Sequence, residues 1–66
     1  MAITGPQCRA GRALAELSRE MLGKLAGVEA ARIEHFERKL DKPDEVTVAR
    51  IEAALEEAGV LFIREN

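Results

Sequence analysis

The 66-residue chain contains no tryptophan and no tyrosine, and its only aromatic residues are Phe36 and Phe62. Proteins that bind single-stranded nucleic acid stack bases on several aromatic side chains, so two phenylalanines argue against that class. Cys8 is the only cysteine, which excludes an internal disulfide, and no cysteine–histidine cluster has the spacing of a zinc site. Since a chain this short buries only about 60% of its unfolded surface, we expect a second subunit to reinforce it.

Long apolar runs are also absent, and none approaches the roughly 20 residues of a membrane-spanning helix. The N-terminus, MAITGPQ, lacks the basic start and apolar centre of a signal peptide. We therefore expect a cytoplasmic protein with no membrane partner. The chain is 47% hydrophobic and 33% charged with only two prolines, which is typical of a folded helical domain.

The chain lacks the residue groups on which enzymes depend. Its one histidine, His35, has no serine or cysteine nucleophile at a recognisable spacing, and no glycine-rich phosphate-binding loop is present. Cys8 lies on the apolar side of the first predicted helix, where a core residue is a better interpretation than a redox sensor. We predict that the protein is not an enzyme and uses no cofactor or metal ion.

Charge is unevenly distributed along the chain. Residues 1–28 carry four basic and two acidic groups, a net +2, whereas residues 29–66 carry six basic and ten acidic groups, a net −4. Domains that bind duplex DNA are expected to be basic on at least one face. Here such a face is expected only around the N-terminal half.

Capping residues and hydrophobic spacing predict four helices. The first begins after Thr4, which forms a capping box with Gln7, and ends near Leu17. Gly11, inside this helix, costs about 1 kcal/mol relative to alanine. The apolar side of the first helix is predicted to contain Cys8, Leu14 and Ala15.

The second and third predicted helices are joined by a tight turn. The second begins after its cap Ser18 and runs to about Ala26, and Gly27 then permits a left-handed backbone. The third covers about residues 29–38. The apolar residues predicted to face the core are Met21, Leu22 and Leu25 in the second helix and Ile33 and Phe36 in the third.

The fourth predicted helix begins near Asp44 and ends at Gly59, and it carries an apolar stripe of Val48, Ile51, Leu55 and Ala58. Residues 60–64 are apolar on both alternating faces, which predicts a short strand that needs cover. The strand could pair with residues 1–4 of its own chain or with the same segment of a second subunit. The second possibility makes Leu61, Phe62 and Ile63 candidate dimer residues.

Residues 5–60 resemble the Cro/C1-type helix-turn-helix family, also called XRE, with the motif itself at residues 19–38. The positions that carry the resemblance are Arg9, Arg12, Ser18-Arg19, Leu22-Gly23, Gly27-Val28, Ile33, Phe36-Glu37, Pro43, Ile51, Ala54-Leu55 and Ala58-Gly59. The resemblance implies one all-α domain over residues 1–66, a four-helix or five-helix lambda-repressor-like fold. We expect it to carry the short C-terminal β-strand at about residues 60–64.

The resemblance also implies roles for single residues. Gly23 must be small because the third helix crosses the second there. Arg12 and Glu37 match positions that often form a partly buried ion pair between the first and third helices, so we interpret Glu37 as part of the scaffold. The candidates for reading bases in the major groove are Ala30, Ala31, Glu34 and His35.

Contacts to the DNA backbone are expected from basic residues around this motif. The candidates are Arg19, Arg38, Lys39 and Lys42. Arg32 could reach a groove edge or fold back on Glu29, and both possibilities stay open. Alanine methyl groups can pack on thymine, a glutamate can accept from cytosine, and His35 can donate to guanine or phosphate.

Two functions follow from these observations. The first is a sequence-specific transcriptional regulator of bacterial or phage type that binds double-stranded DNA, as a homodimer on a two-fold symmetric operator, through the third helix. The second is a protein-interaction module of the same fold, which uses its acidic third and fourth helices to modulate another regulator. The acidic second half of the chain favours the second function.

Overall fold

The computed structural model describes residues 2–63 and contains four helices, α1 (Gly5–Ala15), α2 (Arg19–Ala26), α3 (Ala30–Glu37) and α4 (Glu45–Glu57). No strand is present in this part of the chain. Helix α2 packs against α3 and α4, and α1 packs against the same two helices. The prediction of an all-helical domain is therefore confirmed.

Three of the four helices begin where the capping residues predict, and α3 begins after Glu29 without a side-chain cap. The Thr4 hydroxyl accepts a hydrogen bond from the Gln7 amide at 3.2 Å, and the Gln7 side chain accepts one from the Thr4 amide at 2.8 Å. Ser18 caps α2 through the Met21 amide at 3.0 Å, and Asp44 caps α4 in the same way. Each cap satisfies an amide that has no partner inside its helix, and this fixes the first residue of the helix.

The turn between α2 and α3 depends on two glycines. Gly27 has a φ of +72°, the left-handed conformation that side chains disfavour. Gly23 lies where α3 approaches α2, and a Cβ atom at this position would collide with the Val28 carbonyl oxygen. The absence of a side chain at Gly23 thus lets the start of α3 approach α2 closely.

The core is formed by eleven buried apolar residues from all four helices and both flanking segments, namely Ile3, Cys8, Leu22, Ala26, Ile33, Phe36, Val48, Ile51, Ala54, Leu55 and Val60. Four residues predicted to face it are exposed instead: Leu14 at 77%, Met21 at 47%, Leu25 at 57%, and Ala58 at the end of the predicted stripe of α4. At 100° per residue, Leu14 lies about 120° around α1 from Cys8. The inward side of α2 is the small surface of Leu22, Gly23 and Ala26.

The strand predicted at about residues 60–64 is not confirmed. Residues 60–63 form no strand, Arg64 lies outside the described residues, and no backbone hydrogen bond joins residues 60–63 to residues 2–4. A strand requires a neighbouring strand to satisfy its backbone groups, and none exists in residues 2–63. The side chains of the segment nonetheless alternate in direction. Val60 and Phe62 pack against the core, whereas Leu61 is 85% exposed and Ile63 is 84% exposed.

The segment that follows α4 packs against Gly11 of α1. A Cβ atom on Gly11 would lie 3.2 Å from the Phe62 ring, 3.3 Å from Leu55 and 3.5 Å from Val60. The glycine therefore weakens α1 locally but leaves room for the segment to pack over the helix. Phe62 belongs to this contact within the chain, so only Leu61 and Ile63 of the three candidate dimer residues point outwards.

Candidate nucleic-acid interface

A buried carboxylate, Glu37, links the last turn of α3 to α1. Its side chain has no exposed surface, and the Arg12 side chain is only 16% exposed. Arg12 Nε donates to Glu37 Oε2 at 2.7 Å and Arg12 Nη2 donates to Oε1 at 2.9 Å, a two-bond fork. The third nitrogen, Nη1, donates to the Leu17 carbonyl oxygen at 3.0 Å. The structure thus brings together the two residues that the family resemblance pairs.

Two further groups donate to the same carboxylate. Arg19 Nε lies 3.2 Å from Glu37 Oε1, and Cys8 Sγ lies 3.2 Å from Oε2. Burial alone would raise the pKa of Glu37, but the hydrogen bonds from Arg12 and Cys8 and the two arginine charges hold it below its ordinary value. Burial and the neighbouring carboxylate raise the pKa of Cys8 to about 12. Glu37 is thus an ionised part of the scaffold and Cys8 a protonated core residue.

The four candidate base-reading residues lie on the outer side of α3. Ala31 and His35 are exposed, and Ala30 and Glu34 are half-buried at one edge of the helix. A shallow depression beside this edge is lined by Arg12, Ser18, Arg19, Glu20, Ala30, Ala31 and Glu34. Three of the four candidates therefore share a surface with the start of α2, and His35 lies outside it.

The four cations expected to contact the DNA backbone lie in different parts of the surface. Arg19 is held by Glu37, and Arg38 pairs with Glu34 one turn earlier on α3 at 3.2 Å. Lys39, which has a left-handed backbone with φ of +61°, and Lys42 are both exposed and line a depression with the start of α1. Two of the four cations are thus already paired with carboxylates in the free chain.

A third depression lies on the opposite side of α3, next to the turn. Arg32 and Arg50 line it together with Gly27, Val28, Glu29 and Thr47. The sequence leaves the role of Arg32 open, and it does not single out Arg50. Only the packing of α4 beside the turn brings Arg50 to this place, and no spacing within the sequence indicates it.

No helix within residues 2–63 combines the length and the apolar character needed to cross a membrane. The same residues contain no group of three or more histidine, cysteine, aspartate or glutamate side chains arranged to hold a metal ion. No model of a protein family matches the chain, and no curated protein matches it in sequence.

Proposed function

We propose that the protein is a DNA-binding transcriptional regulator in which α2, the turn and α3 act as a helix-turn-helix. In this function α3 enters the major groove of duplex DNA, and a homodimer occupies a two-fold symmetric operator. The observation that carries the proposal is the crossing of α2 and α3 at Gly23, which leaves Ala31 and His35 on an exposed outer side of α3. The resemblance of residues 5–60 to Cro/C1-type proteins supports the same assignment.

Base recognition in this proposal uses small and acidic groups. The methyl groups of Ala30 and Ala31 suit thymine methyl groups, and the carboxylate of Glu34 suits the amino group of cytosine. Glu34 must first leave Arg38, but an exposed pair one helical turn apart contributes only about 0.3–0.5 kcal/mol. This exchange frees Arg38 for a phosphate at the same time.

Backbone contacts come from Arg19, Arg38, Lys39 and Lys42. Arg19 forms a single 3.2 Å bond to a carboxylate that Arg12 already holds through two bonds, so Arg19 can turn to a phosphate while Glu37 stays paired. Each phosphate contact releases counterions, so binding weakens with salt. Four contacts per subunit give weak binding, and two subunits about 34 Å apart on DNA would add their contributions.

The test is a titration of the protein against random-sequence duplex DNA, followed by fluorescence anisotropy at 50 mM and 200 mM salt. We expect detectable binding at the lower concentration, a loss at the higher one, and weaker binding by Arg19→Ala. Arg19→Lys serves as a matched variant that retains the charge, and thermal unfolding verifies that both variants remain folded. An absence of binding at 50 mM salt by the folded wild-type protein would rule out the DNA-binding function.

A protein-interaction module is the second candidate, and one observation favours it. Glu37 and Glu34 hold two of the four cations expected to bind phosphate, on a half of the chain whose net charge is −4. A basic partner protein would be attracted to the exposed carboxylates of α3 and α4. In this function the protein modulates another regulator and leaves DNA to that partner.

Charge reversal distinguishes this second function from the first. Glu34→Lys and Glu57→Lys replace exposed or half-exposed acids on α3 and α4 without touching the buried Glu37. If a partner protein binds the acidic side chains of α3 and α4, the wild-type protein should pull that partner down from a native lysate, and both variants should fail to do so while they keep their thermal stability. A pull-down that is unchanged in both variants excludes these acidic side chains as the binding site.

A further inference from the structure

Arg32 on α3 and Arg50 on α4 meet at one depression beside the turn. Both residues are exposed, and neither forms a hydrogen bond or ion pair with any residue from 2 to 63. They differ in this from Arg19 and Arg38, whose guanidinium groups are held by carboxylates at 3.2 Å. The two arginines are therefore available to an anion in the free chain.

Two acids lie near this depression, and only one of them lines it. Glu29 contributes to its lining and is the only acid that does so. Asp44 lies outside the lining, and its pKa is lowered by hydrogen bonds from the Thr47 side chain and the Thr47 amide and, to a smaller extent, by the Arg32 charge. The lining itself thus carries two guanidinium groups and one carboxylate.

The depression lies on the side of α3 opposite to Arg19. At 100° per residue, Arg32 is about 100° from Ala31 in one direction and Ala30 is the same angle away in the other. Ala30 lies at the edge beside Arg19, and Arg32 lies at the edge beside Arg50. The exposed side of α3 is therefore flanked by arginines on both edges.

A helix in the major groove has a sugar–phosphate strand on each side, because the groove is only about 12 Å wide. We propose that Arg32 and Arg50 together bind one backbone phosphate, on the strand opposite to the strand that Arg19 contacts. The planar guanidinium groups suit this role because each can donate two parallel hydrogen bonds to phosphate oxygens. The inference rests on the proposed DNA-binding function, and it adds a phosphate contact on the side of α3 that Arg19 does not reach.

The experiment measures the salt dependence of duplex binding for Arg32→Ala, Arg50→Ala and the double variant. Loss of one phosphate contact lowers the slope of log K against log salt by about 0.9. Between 50 and 200 mM salt, the double variant should therefore lose affinity by a factor about 3.5 times smaller than the wild-type protein does. Because the arginines share one phosphate, each single variant keeps one guanidinium on it and should change the slope by no more than the double variant does.

Arg9→Ala is the matched control, since Arg9 is an exposed arginine of α1 that lines none of the three depressions. Thermal unfolding of every variant separates loss of binding from loss of fold. A double variant with the slope of Arg9→Ala, or one that binds DNA as tightly as Arg32→Ala, overturns the inference while the proposed function stands. A slope change in the double variant of about twice 0.9 refutes a shared phosphate, and a folded wild-type protein that binds no DNA refutes both proposals.

Discussion

Glu37→Gln is expected to destabilise the domain strongly, although the two side chains have nearly the same shape. The wild-type carboxylate accepts two bonds from Arg12 and one each from Arg19 and Cys8. Glutamine keeps one acceptor oxygen and replaces the other with an amide that donates. The substitution thus removes the counter-charge of Arg12, whose side chain is 16% exposed.

Removal of one partner from a buried ion pair costs about 3–5 kcal/mol, because the remaining charge is left unpaired. We expect about 3 kcal/mol here, since Arg12 keeps some access to water and retains its bond to the Leu17 carbonyl. Domains have a free energy of unfolding of about 0.05–0.15 kcal/mol per residue, or about 3–10 kcal/mol for this chain. Glu37→Gln should therefore remove a third or more of the total stability.

Urea unfolding followed by circular dichroism measures this loss, and its pH dependence identifies the cause. The pKa of Glu37 is lower in the folded protein than the ordinary value of about 4.3, so the stabilisation is present above pH 4.3. It is lost as the pH falls through the lowered pKa of the folded state. The glutamine variant should lack this component of the acid-induced loss of stability.

A double variant provides the control. Arg12→Met with Glu37→Met removes both charges and fills the space with apolar groups, which is often neutral or stabilising for buried pairs. It should be more stable than Glu37→Gln. A glutamine variant within about 1 kcal/mol of the wild-type protein, or one with the same acid profile, would show that the buried pair does not contribute as argued.

Three further outcomes are expected. Gly23→Ala should destabilise the domain more than Gly27→Ala, although alanine gains about 1 kcal/mol of helix propensity at position 23. A Cβ atom at position 23 would meet the Val28 carbonyl oxygen, whereas at position 27 it meets nothing within 4 Å and the left-handed backbone costs about 1–2 kcal/mol. Urea unfolding of both variants compares them. Cys8, with a pKa of about 12 against an ordinary 9.0, should react about a thousandfold more slowly with a thiol reagent at pH 8 in the folded than in the unfolded protein, and equal rates would contradict its burial. Leu61→Ser with Ile63→Ser should convert a dimer into a folded monomer in sedimentation, since Val60 and Phe62 stay in place; an unchanged dimer would exclude this surface as the interface.

The starts of the helices were predictable because a cap is a local interaction. Thr4, Ser18 and Asp44 each bond an amide three residues ahead, so the sequence alone contains both partners. Gly27 was predictable for the same reason, because its positive φ belongs to the turn itself. These positions required no knowledge of how the helices pack.

The inward faces of α1 and α2 were less predictable. Leu14, Met21 and Leu25 have apolar side chains, and hydrophobic spacing favoured them over smaller neighbours. The structure instead buries Gly11 and Gly23, because Phe62 packs closely over the first and the Val28 carbonyl oxygen would collide with a Cβ atom on the second. In the sequence, such a glycine indicates only a lower helix propensity, because the neighbour that requires it comes from another part of the chain.

In the candidate site, too, contacts that depend on how the helices pack were not predictable from the sequence. The resemblance was sufficient to pair Arg12 with Glu37, but the additional bonds from Arg19 and Cys8 depend on the rotation of α1 and α2 about their axes. Arg50 is distant from the turn in sequence and reaches it only through the packing of α4. Charge counts predicted a basic N-terminal half, whereas the unpaired arginines beside α3 lie in the acidic half.

The packing of Phe62 over Gly11 has a consequence for the order of events during protein synthesis. Val60 and Phe62, which cover Gly11, are translated about fifty residues after it. Until they are added, Gly11 stays uncovered and a nascent chain cannot complete its core. Products truncated before Val60 should therefore be efficient substrates for cellular proteases.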